Sequence, residues 1–454
     1  MNIDIHPSSA SMLAYPQGSS LGRLARRPKT LAETGLSEPF VADLLAKHLH
    51  DGGILTLQEL SERVALAGPI LEKVLNFMRR EARVEIRGRD ESNGGMRYAL
   101  TELGRVSALD ALMRAGYIGA APVPLQDYAR VARAQTVHTR NVNLSAMRTA
   151  FSDVVIEDSM LDQLGASLNS GRAIFVYGPA GTGKTYLTQR LSRLFLDITL
   201  IPHAISVDES VVQIYDPLIH KKVDKKPDRH DSNDMLIERG TDSRYVTCER
   251  PLVITGGELA ADMLEVTHDV ATKLHRAPLQ LKANNGVFII DDLGRQKVEP
   301  AVILNRWIVP MEEKKDYLTL GTGKHFSVPF DVILVFSTNI NPLDLADEAF
   351  LRRIGYKIRF DYLSAAHYHL IWRDTCSEFQ IPYDPQICEF AIQDLHKKYG
   401  VPLLPCHPRD LLTMAMDTVI YHDQPRRIEK DHVVWAWKNY FVNLDEDQLN
   451  QFAT

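Results

Sequence analysis

The spacing of apolar residues divides the chain into three regions. Between residues 36 and 110 the spacing is helical three times and then β-type twice. From residue 151 to 362, wholly apolar runs typical of buried strands alternate with helical segments. Beyond residue 363 the spacing is helical again, in four segments over residues 365–379, 385–399, 408–421 and 431–441. The pattern therefore predicts a small α+β domain, an α/β core and a helical C-terminal domain.

The N-terminal region has the element order of a winged helix. Its second helix opens with the capping box Thr56-Leu-Gln-Glu59. Its third helix has an apolar face formed by Ile70, Leu71, Val74, Leu75 and Met78. Two β-type runs, at 84–87 and 97–100, flank a turn-rich segment at 90–95 and predict a hairpin. We therefore expect a winged-helix-like domain over residues 36–110.

A winged helix that binds DNA inserts its third helix into the major groove. Here the helix would present Lys73, Asn76, Arg79 and Arg80 to the groove. It also carries Glu72 and Glu81, so it forms no dense basic stripe. Duplex binding, protein docking and a purely structural role therefore remain open for this domain.

Two segments lack a regular pattern. Residues 1–35 are rich in Ser, Pro, Gly and Arg and predict a flexible tail. The tail has a basic cluster that either contacts an acidic partner or lies in solvent, formed by Arg23, Arg26, Arg27 and Lys29. Residues 111–150 include the Pro-rich run 119–124 and predict a linker between the first two domains.

Composition narrows the class of protein. A chain of 454 residues predicts two or three domains, and a net charge of -6 gives no general attraction to nucleic acid or anionic lipid. The sequence shows no signal peptide and no bilayer-spanning run, so we expect a cytoplasmic protein without membrane insertion. No C-x-x-C pair is present, which predicts reduced thiols at Cys248, Cys376, Cys388 and Cys406.

The strongest chemical signal begins at residue 178. The apolar run 173–177 leads into Gly178-Pro-Ala-Gly-Thr-Gly-Lys184-Thr185, and helical spacing follows, as in the phosphate loop G-x-x-x-x-G-K-[ST]. Glycines let the backbone amides turn toward a phosphate at the positive end of a helix. Lys184 would neutralise the β- and γ-phosphates, and the Thr185 hydroxyl would hold Mg²⁺. The loop therefore predicts nucleotide binding.

Two later apolar strands end in polar residues. One precedes Asp291 and Asp292, and the other precedes Asn339. In a parallel nucleotide-binding sheet the ligand lies at the carboxyl ends of the strands. We therefore expect Asp291 to orient Mg²⁺ or its bound water, Asp292 to polarise the attacking water, and Asn339 to hydrogen-bond the γ-phosphate or that water.

Three arginines extend the candidate site. Arg352 and Arg353 are adjacent at the end of an otherwise apolar helix, where two cations are costly unless they are solvated or meet an anion. Arg409 follows His407-Pro408 in the first turn of a predicted helix, with Pro408 at its first position. The helix dipole does not favour a cation there, so a surface position and an anion contact are both open for Arg409.

In this order the motifs resemble those of the AAA+ ATPases, from near Phe151 to the C-terminus. The resemblance implies a five-stranded parallel core over residues 151–362 and a helical lid over 363–454. It also implies a homo-oligomeric ring, usually of six subunits, with ATP and Mg²⁺ at each interface. Most of the family has Asp-Glu where this chain has Asp291-Asp292, and the shorter Asp292 opens the alternative of an ATP-gated scaffold with little hydrolysis.

The resemblance also implies roles for the site residues. Arg353 matches the arginine finger that reaches the γ-phosphate of a neighbour, with Arg352 as its close competitor, and Arg409 matches the sensor of the lid. Asp291 and Asp292 match the second acidic motif, and Asn339 matches sensor 1. Thr185 and Asp291 would be the Mg²⁺ ligands. The nucleotide-binding set consists of Gly178, Pro179, Ala180, Gly181, Thr182, Gly183, Lys184, Thr185, Tyr186, Asp291 and Arg409.

Two segments predict hairpins inside the core, 202–215 and 317–329. The second, just before sensor 1, looks like the insertion of the clade that contains MoxR-type chaperones, where such hairpins often face the ring pore. A plain extension of the core sheet is the alternative. As a whole, the chain is similar to a group of bacterial AAA+ ATPases with an N-terminal winged-helix-like region.

These features predict an ATP-hydrolysing, ring-forming, chaperone-like ATPase that remodels an unidentified protein recruited through residues 36–110. The alternative is a DNA-linked ATPase of loader, transposition-helper or regulator type that binds nucleic acid through the same domain.

Overall fold

The computed structural model describes residues 24–89, 95–139, 141–223 and 240–441. The N-terminal domain has the predicted three helices and hairpin, and a fourth helix follows. The predicted turn lies outside the described residues except for Gly95. The strands pair antiparallel in the order β1–β3–β2. The elements are α1 (Glu38–Gly52), β1 (Leu55–Thr56), α2 (Leu57–Val64), α3 (Gly68–Arg80), β2 (Val84–Arg89), β3 (Met96–Leu100) and α4 (Glu102–Arg114).

Local sequence explains why these helices form. The Thr56 hydroxyl accepts a hydrogen bond from the Glu59 amide at 3.2 Å, and the Glu59 carboxylate accepts one from the Thr56 amide at 2.7 Å. This confirms the predicted capping box, which satisfies two amide groups that a helix start leaves without partners. All five apolar residues predicted for the face of α3 are buried in the domain core.

The described parts of the predicted tail and linker are packed against the rest of the protein. Arg26 forms a β-bridge with Thr241, and the buried Arg244 guanidinium donates to the carbonyls of Thr34 and Pro122 at 3.0 and 3.2 Å. Arg23 and residues 1–22 lie outside the described range. The linker region contains regular elements, β4 (Val123–Pro124), α5 (Leu125–Ala134) and α6 (Leu144–Ala150). A buried arginine needs many acceptors, and here the Asp242 carboxylate and the two distant backbone carbonyls supply them.

A second sheet is assembled from distant segments, in the order β11–β12–β8–β7–β4. The predicted hairpin at 202–215 is present as β7 and β8, and the one at 317–329 as β14 and β15. The tips of the two hairpins are joined by an ion pair between Lys324 and Asp208. The further strands of this sheet are β7 (Ala204–Val207), β8 (Ser210–Gln213), β11 (Thr267–Asp269) and β12 (Leu274–Arg276). Two separate two-stranded sheets are formed by β6 (Ile198–Pro202) with β9 (Tyr245–Glu249) and by β14 (Lys315–Thr319) with β15 (His325–Pro329).

The two hairpins share a hydrophobic core with α5. Buried side chains from β7, β8, β14 and β15 meet there, including Ile205, Val212, Leu318 and Phe326. Among the described strands, neither hairpin adds to the parallel sheet, so the alternative of a plain extension of that sheet is excluded. The hairpins instead bury their apolar faces against each other and against the former linker.

The central sheet has five parallel strands in the order β10–β13–β16–β5–β17. This confirms the predicted α/β fold class. The strands are β5 (Ile174–Tyr177), β10 (Leu252–Thr255), β13 (Val287–Ile290), β16 (Ile333–Thr338) and β17 (Tyr356–Arg359). The helices around them are α7 (Asp158–Asn169), α8 (Lys184–Arg190), α9 (Leu279–Lys282), α10 (Pro300–Arg306), α11 (Ile308–Glu313), α12 (Pro342–Leu345) and α13 (Glu348–Arg353).

Alternate residues of the central strands enter two different cores. Phe288 and Phe336 belong to the core on one face of the sheet, whereas Ile289 and Val335 belong to the core on the other. Both faces are therefore covered, which is why these strands are apolar throughout.

The C-terminal region is helical, as predicted. It comprises α14 (Ala365–Glu378), α15 (Pro385–Phe390), α16 (Cys406–Tyr421) and α17 (Lys430–Tyr440), with a π-helical extension of α15 over Ala391–Lys397. Helix α16 begins two residues before the predicted start at Pro408, which is tolerated because a helix does not use its first amides. Short 3-10 helices span Ala32–Thr34, Val137–Thr139, Leu191–Leu194 and Ala261–Leu264. Within the described ranges, no helix combines the length and apolarity needed to cross a bilayer.

Candidate functional site

The glycine-rich loop has the backbone conformation that its sequence predicts. Gly178, Gly181 and Gly183 have φ angles of 144°, 80° and 82°. A Cβ atom at Gly178 would lie 2.0 Å from the Phe360 carbonyl oxygen, so a side chain cannot be placed there. Gly183 caps the start of α8 and has no atom within 4 Å of where its Cβ would lie. The loop therefore forms a cradle of backbone amides at the end of β5.

Lys184 lies inside this cradle. Its ammonium donates to the carbonyl oxygens of Gly178 and Pro179 at 2.9 and 2.7 Å. Burial lowers the pKa of Lys184, and the charges of Asp291 and Asp292 oppose that shift. The loop thus holds a cation beside two carboxylates, in the place where the phosphates of a nucleotide are expected.

The acidic residues lie at the end of β13, opposite the loop. The Thr185 hydroxyl donates to the Asp291 carboxylate at 2.5 Å, which joins the two predicted Mg²⁺ ligands. The Asn339 amide donates to the Asp292 carboxylate at 3.1 Å. The ends of β5, β13 and β16 therefore bring together five residues that the sequence singled out, Lys184, Thr185, Asp291, Asp292 and Asn339.

These residues fit the Mg²⁺ ion and the nucleotide phosphates that the sequence predicts. A hydroxyl and a carboxylate are the oxygen ligands that Mg²⁺ prefers. Phosphates bind to backbone amides, which the positive-φ glycines turn toward the site, and to a point charge, which the lysine supplies. Thr185 and Asp291 would hold Mg²⁺, whose charge offsets the negative charge of the phosphates when it is bound.

The two adjacent arginines differ in their surroundings. The Arg353 guanidinium donates to the Glu312 carboxylate at 2.5 Å and to the Ala349 carbonyl at 2.7 Å. Arg352 is exposed and forms no ion pair with any described residue. In a single chain, neither arginine belongs to the cluster around Lys184.

Arg409 lies on the lid, in the first turn of α16. It donates to both oxygens of the Glu378 carboxylate, which raises the pKa of the guanidinium. The lid also reaches the phosphate loop, because a Cβ atom at Gly181 would lie 2.9 Å from the Cys406 sulfur. The Tyr186 ring is half-exposed and stacks under the Arg190 guanidinium at 3.4 Å. The structure therefore brings the lid to the loop but pairs Arg409 with Glu378.

One residue of this edge was missed from the sequence. Gln296 follows the acidic pair by four positions, and its side chain bonds to the Asp292 carbonyl and to the Gly294 amide. Gly256 follows β10, and its carbonyl accepts a hydrogen bond from the same side chain at 3.1 Å. No motif indicates a glutamine there, so only the three-dimensional arrangement identifies it.

Comparisons with known proteins add the following. A family model described as a domain of unknown function, DUF8689, matches residues 364–439, which span the four C-terminal helices. No curated protein sequence matches the chain.

Similar solved structures include two bacterial proteins. For Thermotoga maritima RuvB, described as a Holliday junction branch migration motor, identity is 14%, coverage is 64% of this chain and 73% of that chain, and the TM-score is 0.37. For Brucella abortus NtrX in complex with ADP, identity is 14%, coverage is 78% of this chain and 69% of that chain, and the TM-score is 0.38. At these scores, the proposals below rest on the geometry of the chain itself.

Proposed function

We propose that the chain is an AAA+ ATPase that binds Mg²⁺ and ATP at the carboxyl edge of its parallel sheet and hydrolyses the γ-phosphate bond. The single observation that carries the proposal is the convergence of Lys184, Thr185, Asp291, Asp292 and Asn339 on one edge of the sheet. Such a convergence of a phosphate loop, two carboxylates and an amide is what phosphoryl transfer to water requires.

Each residue has a distinct part in this proposal. Lys184 exchanges its bonds with Gly178 and Pro179 for bonds to phosphate oxygens, and Thr185 and Asp291 hold Mg²⁺. Asp292 polarises the attacking water, while Asn339 orients the Asp292 carboxylate. Arg353 of one subunit completes the site of the next in a ring, and Arg409 reports the nucleotide to the lid. The ring uses the resulting motion to remodel a macromolecular partner.

Replacing Lys184 and Asp291 tests the proposal. We expect Lys184→Ala and Asp291→Asn to lower Mg²⁺-dependent ATP turnover by at least about 100-fold, because positioning and charge supply most of the catalysis. Lys314→Ala is a matched control, since it removes another lysine that donates to a backbone carbonyl, at 2.7 Å from Gly171, away from the site. Undiminished turnover in both site variants would overturn the assignment.

A second candidate is a DNA-linked ATPase, favoured by one observation. Five exposed cations on α3 and its neighbouring hairpin form no ion pair with any described residue, namely Lys73, Arg79, Arg80, Arg89 and Arg97. Such a surface suits a phosphate backbone. The double variant Arg79→Ala/Arg80→Ala should then weaken duplex binding and lower the magnitude of its salt-dependence slope by about 2.

The matched control for this test is Arg114→Ala. It removes an arginine from the same domain that is already paired with Asp43 at 2.6 Å. Duplex binding that is absent in the parent, or equal in all variants, would favour recruitment of a protein through this domain.

A further inference from the structure

The loops that follow β10 and β13 are tied together by one side chain. The two N–H groups of the Gln296 amide are shared among the carbonyls of Gly256, Asp291 and Asp292, at nitrogen–oxygen distances of 3.1, 3.3 and 3.3 Å. Its amide oxygen accepts from the Gly294 amide at 2.8 Å. One glutamine therefore bonds to four backbone groups at the edge that carries the acidic pair.

The backbone that Gln296 supports is unusual. Asp292 has a φ of 47° and Gly294 a φ of 103°, so the chain is left-handed twice within three residues. Most side chains disfavour this region, and residues held there depend on support from their surroundings. Gln296 supplies that support, because its bonds to Asp292 and Gly294 lie on both sides of Leu293 and fix the turn.

The turn decides where the Asp292 carboxylate points. The side chain is held from one direction by Asn339, at 3.1 Å, and its backbone is held from the other by Gln296. None of the Gln296 hydrogen bonds involves Lys184 or Thr185. Loss of Gln296 should therefore disturb Asp292 and leave the phosphate loop intact.

We propose that Gln296 is a positioning residue for hydrolysis, which holds Asp292 in its left-handed turn and aims its carboxylate at the attacking water. The inference rests on the proposed function. Because the Gln296 amide also donates to the Gly256 carbonyl, the inference adds the loop after β10 to the part of the site that supports hydrolysis. A displaced general base loses catalysis steeply while substrate binding is kept.

The test replaces Gln296 by methionine, which keeps its length and removes its hydrogen bonds. We expect kcat for Mg²⁺-ATP to fall by about 10- to 100-fold. The Kd of a fluorescent ADP analogue should stay within about 3-fold of the parent, since uniform binding is untouched. Gln296→Glu keeps the acceptor for Gly294 and loses the three donated bonds, so it should show the same split and serves if the first variant does not fold.

A double-variant cycle separates positioning from general stability. If Gln296 acts through Asp292, then Gln296→Met adds no further loss of kcat in an Asp292→Asn background. Gln280→Met is the matched control, because Gln280 is equally a bridging glutamine, bonded to Leu264 and Asp316 at 2.7 and 3.0 Å away from the site. It should lower the melting temperature without changing kcat.

The outcomes are distinguishable. If the parent does not hydrolyse ATP, or if Lys184→Ala hydrolyses it as fast as the parent does, the proposed function fails and this inference fails with it. If the parent is active, the inference alone is overturned by a parental kcat in Gln296→Met, by a proportional loss of nucleotide binding, or by additive losses in the double variant.

Discussion

The two ends of the strands β13 and β16 are both polar, yet they are built differently. At the carboxyl end, Asp291 and Asp292 are half-buried and border the phosphate loop. At the amino end, Asp331 is 8% exposed, and its carboxylate accepts from the Thr136 hydroxyl, the Val137 amide and the Asn285 side chain. Acidic residues therefore lie at both ends of this pair of neighbouring strands, after β13 at one end and before β16 at the other, and their surroundings separate their roles.

The difference teaches how to separate a structural polar group from a functional one. The Asp331 carboxylate is surrounded by donors of the protein itself, so its acceptor capacity is used within the fold. The network also includes Gln135, which donates to the Leu200 carbonyl and to Asn285, both at 2.9 Å. The amino end thus holds the segment around residues 135–137 against the parallel sheet, whereas the half-buried carboxylates of the carboxyl end stay accessible to a ligand.

The largest loss of turnover is expected when the carboxyl end of the strands loses the arginine that we propose a neighbouring subunit supplies. Arg353→Ala should lower turnover by about 10³-fold or more if this arginine reaches the γ-phosphate of a neighbour. Its exposed ion pair with Glu312 costs only about 0–1 kcal/mol to break, so it does not prevent that reach. Nucleotide binding should be kept, and mixed rings should lose activity out of proportion to the variant subunits they contain.

Arg352→Ala is the matched comparison, because the two arginines are adjacent on one helix. Normal turnover in Arg353→Ala together with a loss in Arg352→Ala would transfer the finger role to the exposed residue. Turnover that is equal in both variants and the parent would argue for a site complete within one chain.

The next largest effect is a loss of stability at the amino end of β13 and β16. Asp331→Ala removes the acceptor of three donors and should lower the free energy of unfolding by about 3 kcal/mol or more. Chemical denaturation measures this change in the free energy of unfolding, and Asp291→Ala provides the comparison with the carboxyl end of the strands. We expect kcat per folded molecule to be unchanged in Asp331→Ala, and a loss of turnover at full stability would mean that this end is also a functional site.

A third effect concerns the buried histidines of the lid. Burial lowers the pKa of His396 and of His407 to about 4, below the ordinary value of 6.5. The unfolded chain therefore takes up more protons between these values, and stability that is full above about pH 6.5 falls toward pH 4. Each histidine contributes up to about 1.4 kcal/mol per pH unit in that window.

Unfolding measured at several pH values checks this expectation, with His407→Gln as the variant that should show a shallower decline. A parent whose stability does not change between pH 6.5 and 4 would contradict it.

The smallest change is expected for Asp292→Glu. A competent enzyme should change its turnover by less than about 10-fold, because the site already positions a carboxylate beside Asn339. A large gain in turnover would instead favour the ATP-gated scaffold, in which the shorter Asp292 limits hydrolysis. Single-turnover measurements with Mg²⁺-ATP separate chemistry from product release in both cases.

The sequence by itself predicted the elements whose causes are local. The phosphate loop, the capping box at Thr56 and the wholly apolar run of β13 depend on neighbouring residues and on glycine conformation. The carboxyl-edge cluster was also predictable, because parallel strands bring their ends to one side of a sheet.

Tertiary structure alone decided the rest. The second sheet pairs Val123 with Ile205, and Thr136 bonds to Asp331, which lies 195 residues further along the chain. The bond from the Gln296 side chain to the Gly256 carbonyl likewise joins the loops that follow two different strands. Contacts between such distant segments leave no period or motif in the sequence. The partners of each residue become neighbours only when the chain has folded.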